Sequence, residues 1–219
     1  MFVRRSLIVA ALAISVARCA DQPTAPHAAA PQLLDWADTT AFYSANVSQP
    51  SAPGASTMYM APPAPLNLEQ KQVSFWAVRG ASRSVQINYK RPHDADPRPF
   101  LLLTTTDPQF VPGIGELAMG DSVLITVRVD TRKLKVSLEP TGLQFGAPAT
   151  LTLWYGGAAK DNGDPVPDDS LAMFYREDHK HPWIELNATQ SVVQKSFTYN
   201  IPHFSDYAIG RLAEWSVNW

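Results

Sequence analysis

The sequence predicts an all-β fold, an antiparallel β-sandwich, and three observations predict it. Short β-branched and aromatic runs recur from Val73 onward, separated by turn residues such as Gly113, Gly115, Gly156-Gly157 and Asn162-Gly163-Asp164-Pro165. Two of these runs alternate with period two. Val123, Ile125, Val127 and Val129 share one face of the first, with Thr126 and Arg128 on the other, and Ala149, Leu151, Leu153 and Tyr155 share one face of the second. Past Leu66, no stretch of about ten residues keeps the apolar period of a helix.

Taken in order, the chain opens on a segment that reads as an export signal, residues 1–19. Arg4 and Arg5 supply a positive flank, and Leu7 to Ala17 supply an apolar core. That core is shorter than the roughly 20 residues a spanning helix needs. The single cysteine, Cys19, closes it, so no intramolecular disulfide can form. The run Val16-Ala17-Arg18-Cys19 resembles the lipobox of bacterial lipoproteins, with Arg18 where that pattern has a small residue. The resemblance implies acylation of the Cys19 thiol and a lipid anchor.

Residues 20–67 read as a mostly disordered Pro/Ala-rich linker. Pro23, Pro26, Pro31, Pro50, Pro53, Pro62, Pro63 and Pro65 keep such a segment extended and leave it little apolar surface to bury. One island, Leu33 to Tyr43, interrupts it as a short docked helix or as an adhesive peptide in the tether. The sandwich is expected over 68–212. Its strands are Val73 to Val78, Ser84 to Tyr89, Phe100 to Thr105, Ser122 to Asp130, Lys133 to Leu138, Ala149 to Tyr155, Ser170 to Arg176, Trp183 to Asn187, Val192 to Ile201 and Phe204 to Ile209. A tail, 213–219, carries Trp215 and Trp219.

The segments Gly120-Asp121-Ser122-Val123-Leu124-Ile125-Thr126-Val127, Leu138-Glu139-Pro140-Thr141-Gly142-Leu143-Gln144-Phe145 and Pro148 to Tyr155 follow one another in a recognisable order. Leu171 to Tyr175, Trp183 and His203-Phe204-Ser205-Asp206-Tyr207-Ala208 complete the series. Over 120–210 the chain resembles the ZU-5 domain of bacterial surface proteins. Each piece also has a physical reading. Gly142 permits a tight turn after Pro140, Leu143 and Phe145 return to the core, and Trp183 can cap an end of the sandwich. The resemblance implies a binding or spacing module.

Three constellations could carry chemistry. His203-Phe204-Ser205 matches a self-cleavage tripeptide found in some relatives. There the serine hydroxyl attacks the preceding carbonyl, a histidine moves the proton and water hydrolyses the resulting ester. The structural alternative buries Phe204 and leaves His203 and Ser205 hydrogen-bonding at a strand crossover. His179 and His181, two apart with Glu177 and Asp178 beside them, could share a strand face and hold a metal, but they read better as a polar turn. Asp161-Asn162-Gly163-Asp164 with Asp168-Asp169 lacks the spacing of a calcium loop.

The formal charge of −2 with no basic run argues against nucleic acid. No Gly-rich phosphate loop, nucleophile elbow or zinc-protease helix motif occurs. The expectation is an exported, lipid-anchored module for interaction or display at the bacterial cell envelope. It would be held to the membrane through Cys19, would meet an envelope protein or glycan, and would need no cofactor and perform no catalysis on an external substrate. The alternatives are a self-cleaving module, cut between Phe204 and Ser205, and an envelope hydrolase.

Overall fold

The computed structural model describes residues 30–36, 41–48, 71–159 and 167–211. The expected signal, Cys19, the Asp161 to Asp164 turn and the Trp215–Trp219 tail lie outside them. Among the described residues the architecture is two antiparallel sheets, as the alternation predicts.

The strands are β1 (Gln32–Leu33), β2 (Asp35–Trp36), β3 (Ala41–Ser48), β4 (Gln72–Val78), β5 (Arg83–Lys90), β6 (Arg98–Thr105), β7 (Pro108–Val111), β8 (Gly115–Glu116) and β9 (Ser122–Val129). They continue with β10 (Lys135–Glu139), β11 (Gln144–Trp154), β12 (Ala158–Ala159), β13 (Leu171–Arg176), β14 (Ile184–Leu186), β15 (Thr189–Ser191), β16 (Ser196–His203) and β17 (Asp206–Arg211). The first sheet runs β14-β13-β17-β10-β9-β4, with β1 beside β17. The second runs β15-β16-β11-β6-β5-β3, with β7 beside β11 and β8 beside β7. β2 and β12 form a separate pair.

The core lies between the sheets, filled by the apolar positions of the alternating runs. Val123, Ile125, Val127 and Val129 of β9 are buried, as are Ala149, Leu151, Leu153 and Tyr155 in and just after β11. Leu143 is fully enclosed, and Phe145 packs against the core from its margin. The Trp183 ring lies under the Arg176 guanidinium, 4.6 Å away.

Two sequence expectations change. The sandwich does not begin at 68. Gln32 and Leu33 pair with Arg211 and Gly210, and Ala41 to Ser48 pair along β5. The described parts of the island thus pair as strands rather than forming a helix or tether, and Leu34, Trp36 and Phe42 have places in or against the core. Leu34 and Phe42 are buried, and Trp36 packs on Phe42, Tyr89 and Phe100 at centroid distances of 5.1, 5.3 and 4.6 Å. The strand expected over Val192 to Ile201 is also interrupted. Residues 192–195 form the turn between β15 and β16, where Lys195 takes φ 54° and Val193 stands almost wholly in solvent. Two consecutive β-branched residues imitate a strand there.

Candidate functional site

The tripeptide His203-Phe204-Ser205 sits where the chain changes sheets. His203 ends β16, paired in the second sheet, and Asp206 begins β17, paired in the first. Three extended Cα steps cover about 10 Å, which matches the roughly 10 Å between packed sheets. A taut two-residue crossing follows, and its peptide groups find partners in the turn after β10. The Phe204 N–H donates to the Leu143 carbonyl at 3.0 Å, and the Phe204 carbonyl accepts from Gly142 N–H at 2.8 Å. The Ser205 carbonyl accepts from Leu138 N–H at 3.1 Å. Gly142 holds φ 78°, and a Cβ there would come within 3.0 Å of Pro112 Cγ, so glycine is required.

The side chains are as closely placed. Phe204 is fully buried against the Phe145 ring, 5.0 Å between centroids. Ser205 is buried too, and its Oγ lies 3.1 Å from His203 Nδ1. The same Nδ1 lies 3.4 Å from the Phe204 carbonyl oxygen. Tyr207 donates its hydroxyl to the His203 carbonyl at 2.7 Å, and the Tyr175 ring stands 6.1 Å from the imidazole. Burial drives the Tyr207 phenol far above its usual range, with Tyr199 and Tyr175 adding to the effect. Beside it, Asp206 accepts two hydrogen bonds from Arg176, at 3.0 and 2.9 Å.

The sequence singled out His203 and Ser205 as a pair, and the structure brings them together. Gly142, which the sequence marks only as a turn residue, also directs its N–H at the Phe204 carbonyl. That carbonyl would become the oxyanion if Ser205 Oγ attacked it, with Gly142 N–H as its donor and Nδ1 of an imidazole protonated on Nε2 as the base. The third requirement, a distorted backbone, takes no left-handed form here: among described non-glycine residues, positive φ occurs at Lys71 and Lys195.

His179 and His181 fall in the exposed turn between β13 and β14. His181 Nδ1 bonds Asp178 at 2.9 Å, and its Nε2 is 4.0 Å from Glu177. Among the described residues no three His, Cys, Asp or Glu side chains are grouped to hold a metal. Asp168, at a single 3₁₀ turn, pairs with Lys195. No described helix is long and apolar enough to cross a membrane. No protein-family model matches the chain, and comparisons with curated proteins and with solved structures find no match either.

Proposed function

We propose that the chain is an exported, lipid-anchored β-sandwich module that serves interaction or display at the bacterial cell envelope and performs no catalysis on an external substrate. The order of parts carries this reading. A basic flank, a short apolar core and a lone Cys19 precede a sandwich whose first strand begins by Gln32. The ZU-5 resemblance over 120–210 supports it, since that fold presents two broad sheet faces rather than a cleft of reacting groups. The test is metabolic labelling with palmitate followed by detergent partition. Label should follow the chain into the detergent phase, and Cys19→Ser should abolish both label and partition. An unlabelled form cut elsewhere and released into solution would refute the anchor.

One observation favours a second reading, self-cleavage between Phe204 and Ser205. Ser205 Oγ is 3.1 Å from His203 Nδ1, while the Phe204 carbonyl is already held by Gly142 N–H at 2.8 Å. Attack by Oγ on the Phe204 carbonyl carbon would transfer its proton to Nδ1. Collapse would expel the Ser205 amine with that proton, and water would hydrolyse the resulting ester to a Phe204 carboxylate and a free Ser205 hydroxyl. Mass spectrometry under denaturing conditions decides it. Two species split after Phe204 in the native chain, and one in Ser205→Ala, would establish cleavage; a single intact species in both would assign Ser205 to structure.

A further inference from the structure

The two outer faces of the sandwich differ in chemistry. The first sheet carries ion pairs, the exposed Arg128–Glu139, Lys135–Asp130 and the largely enclosed Arg176–Asp206, on or beside β9, β10, β13 and β17. The outward positions of the second sheet fall into three rows that cross the strands. Ser84, Thr104, Thr150 and Asn200 are in register along the first row. Gln86, Leu102, Thr152, Thr198 and Thr189 form the second. Asn88 and Pro99 from β5 and β6, with Trp154 from β11, form the third, and Ser196, in register with Trp154, is buried. None of these positions carries a charge; Lys90, the next outward position of β5, does, and it donates to the Ala95 carbonyl at 3.0 Å.

We infer that this outer face of the second sheet, with Trp154 as its aromatic platform, binds a linear neutral glycan. The inference rests on the interaction reading above and names the partner's chemistry. Hydroxyl and amide side chains both donate and accept, as the hydroxyls of a sugar chain do. Here they are already ordered by one another. Ser84 Oγ and Thr104 Oγ1 are 2.9 Å apart, Thr152 and Thr198 3.0 Å, Thr150 and Asn200 3.2 Å, and Gln86 donates to Asn88 at 2.8 Å. Such preorganisation lowers the entropy cost of meeting a flat ligand. Successive rows stand about 7 Å apart and successive strands about 4.8 Å, a regular lattice suited to a repeating chain.

The third row ends in a cleft of about 450 Å³, lined by Trp154, Pro99, Arg98, Gln194 and Lys195. Trp154 is half-buried at its wall and offers an aromatic face to the C–H face of a sugar ring. Lys195 pairs with Asp168, and Arg98 shares the Asp94 carboxylate, at 2.8 Å, with Arg91 at 3.1 Å. One guanidinium charge is thus left over at the rim of the cleft, while the rows, along which a linear chain would lie, carry none. A neutral, hydroxyl-bearing chain is the occupant whose charge and hydrogen bonding both fit.

The test titrates the purified full chain with cellohexaose and, separately, with the hexaose of N-acetylglucosamine, following the Trp154 indole resonance and the affinity. Saturable binding of at least one hexaose is expected. Trp154→Ala should weaken it by about tenfold or more, and Thr152→Glu, which puts a charge in the middle row, should do the same with an unchanged melting temperature. Trp76→Ala, on the opposite sheet, should leave the affinity unchanged. Absence of saturable binding by both hexaoses, or affinities in Trp154→Ala and Thr152→Glu equal to that of the native chain, would overturn the inference; in particular, an envelope protein held by this face while both hexaoses fail would replace the glycan. Palmitate labelling and detergent partition report on the anchored-module reading independently, so each can fail without the other.

Discussion

The indole N–H of Trp36 donates to the Asp130 carbonyl at 3.0 Å, joining residues 94 apart in the chain, and it shares that hydrogen with the Lys133 carbonyl at 3.0 Å. Leu34 makes a parallel link: its N–H donates to Ile209 at 3.0 Å, and its carbonyl accepts from Leu134 N–H at 2.8 Å. The N-terminal strands are thus stitched into the loop after β9 and into β17. Trp36→Ala should cost about 3 kcal/mol in chemical denaturation, since it removes a large packed ring and strands its acceptors. A chain beginning at Leu68 should melt far below the full chain, or aggregate through the uncovered edge of β5. A chain beginning at Ala30 should keep the full-length melting point. Equal stability of the two truncations would refute the role given to β1–β3.

Gly210 tests the same docking from the other side. A Cβ there would lie 2.9 Å from the Gln32 carbonyl oxygen and 3.3 Å from Leu33 Cα, both backbone atoms. Gly210→Ala should therefore push β1 from β17 while β13 stays paired. Amide exchange should accelerate at Leu33 and Leu34 well before it does at Met173. Uniform protection would mean that β1 can shift without loss.

Arg176 joins two structures. It forms the ion pair with Asp206 at the start of β17, both side chains being largely enclosed, and it covers the Trp183 ring. Arg176→Ala should cost about 1–3 kcal/mol, more than an exposed pair would. Arg176→Lys should recover little, because an ammonium supplies neither the two-pronged bond nor the stacking plane. Thermal melts of the two variants check this; full recovery in the lysine variant would show a simple charge effect.

What could be read from the sequence was periodic. β9 and β11 declare their faces because one face is buried and the other wet, and the structure buries the faces so assigned. The strands at Gln32–Leu33 and Asp35–Trp36 could not be read, because two residues carry no period and prolines surround them. Their place is set by partners some 94 to 180 residues away, such as Asp130 for Trp36 and Arg211 for Gln32. At the tripeptide, residue types alone pointed to His203 and Ser205. The donor on the Phe204 carbonyl came from a turn more than 60 residues upstream, at Gly142, whose glycine had been explained by turn geometry alone. The neutral rows were equally hidden, since no strand contributes more than three of their members and the pattern exists only across registers.

Alkaline pH should unfold this protein through Tyr207. An ordinary tyrosine titrates near 10, and Tyr207 is held well above that by burial. The unfolded chain therefore releases this proton first. Above about pH 10 the native state binds more protons than the unfolded one, and stability falls as pH rises. Below that pH the contribution is fully present. Tyr89 and Tyr155, also raised chiefly by burial, act in the same direction. Denaturant midpoints at pH 8 and pH 11 should show a marked drop in the native chain and a smaller drop in Tyr207→Phe. That variant should start about 1 kcal/mol lower, having lost the bond to the His203 carbonyl. An identical drop in both chains would remove Tyr207 from the account.

Gly142→Ala bears on fold and site together. The left-handed φ of 78° is strained for any other residue, and the new methyl would press on Pro112 Cγ at 3.0 Å. The change should cost about 1–2 kcal/mol. It should also loosen the N–H held on the Phe204 carbonyl at 2.8 Å, and with it the crossing between the sheets. Ser205→Ala removes the hydroxyl bond to His203 and should cost about 1 kcal/mol while leaving the Gly142 bond in place. The two variants separate the roles of the tripeptide. If the Phe204–Ser205 bond is cut, displacing the oxyanion donor should slow the cut, by up to about 10²-fold, in Gly142→Ala, and Ser205→Ala should not cut at all. If the tripeptide serves only the crossing, both variants stay intact on denaturing mass spectrometry and differ from the native chain in stability alone. Cleavage in Gly142→Ala at the native rate would dismiss its N–H as a participant, whatever the fate of Ser205.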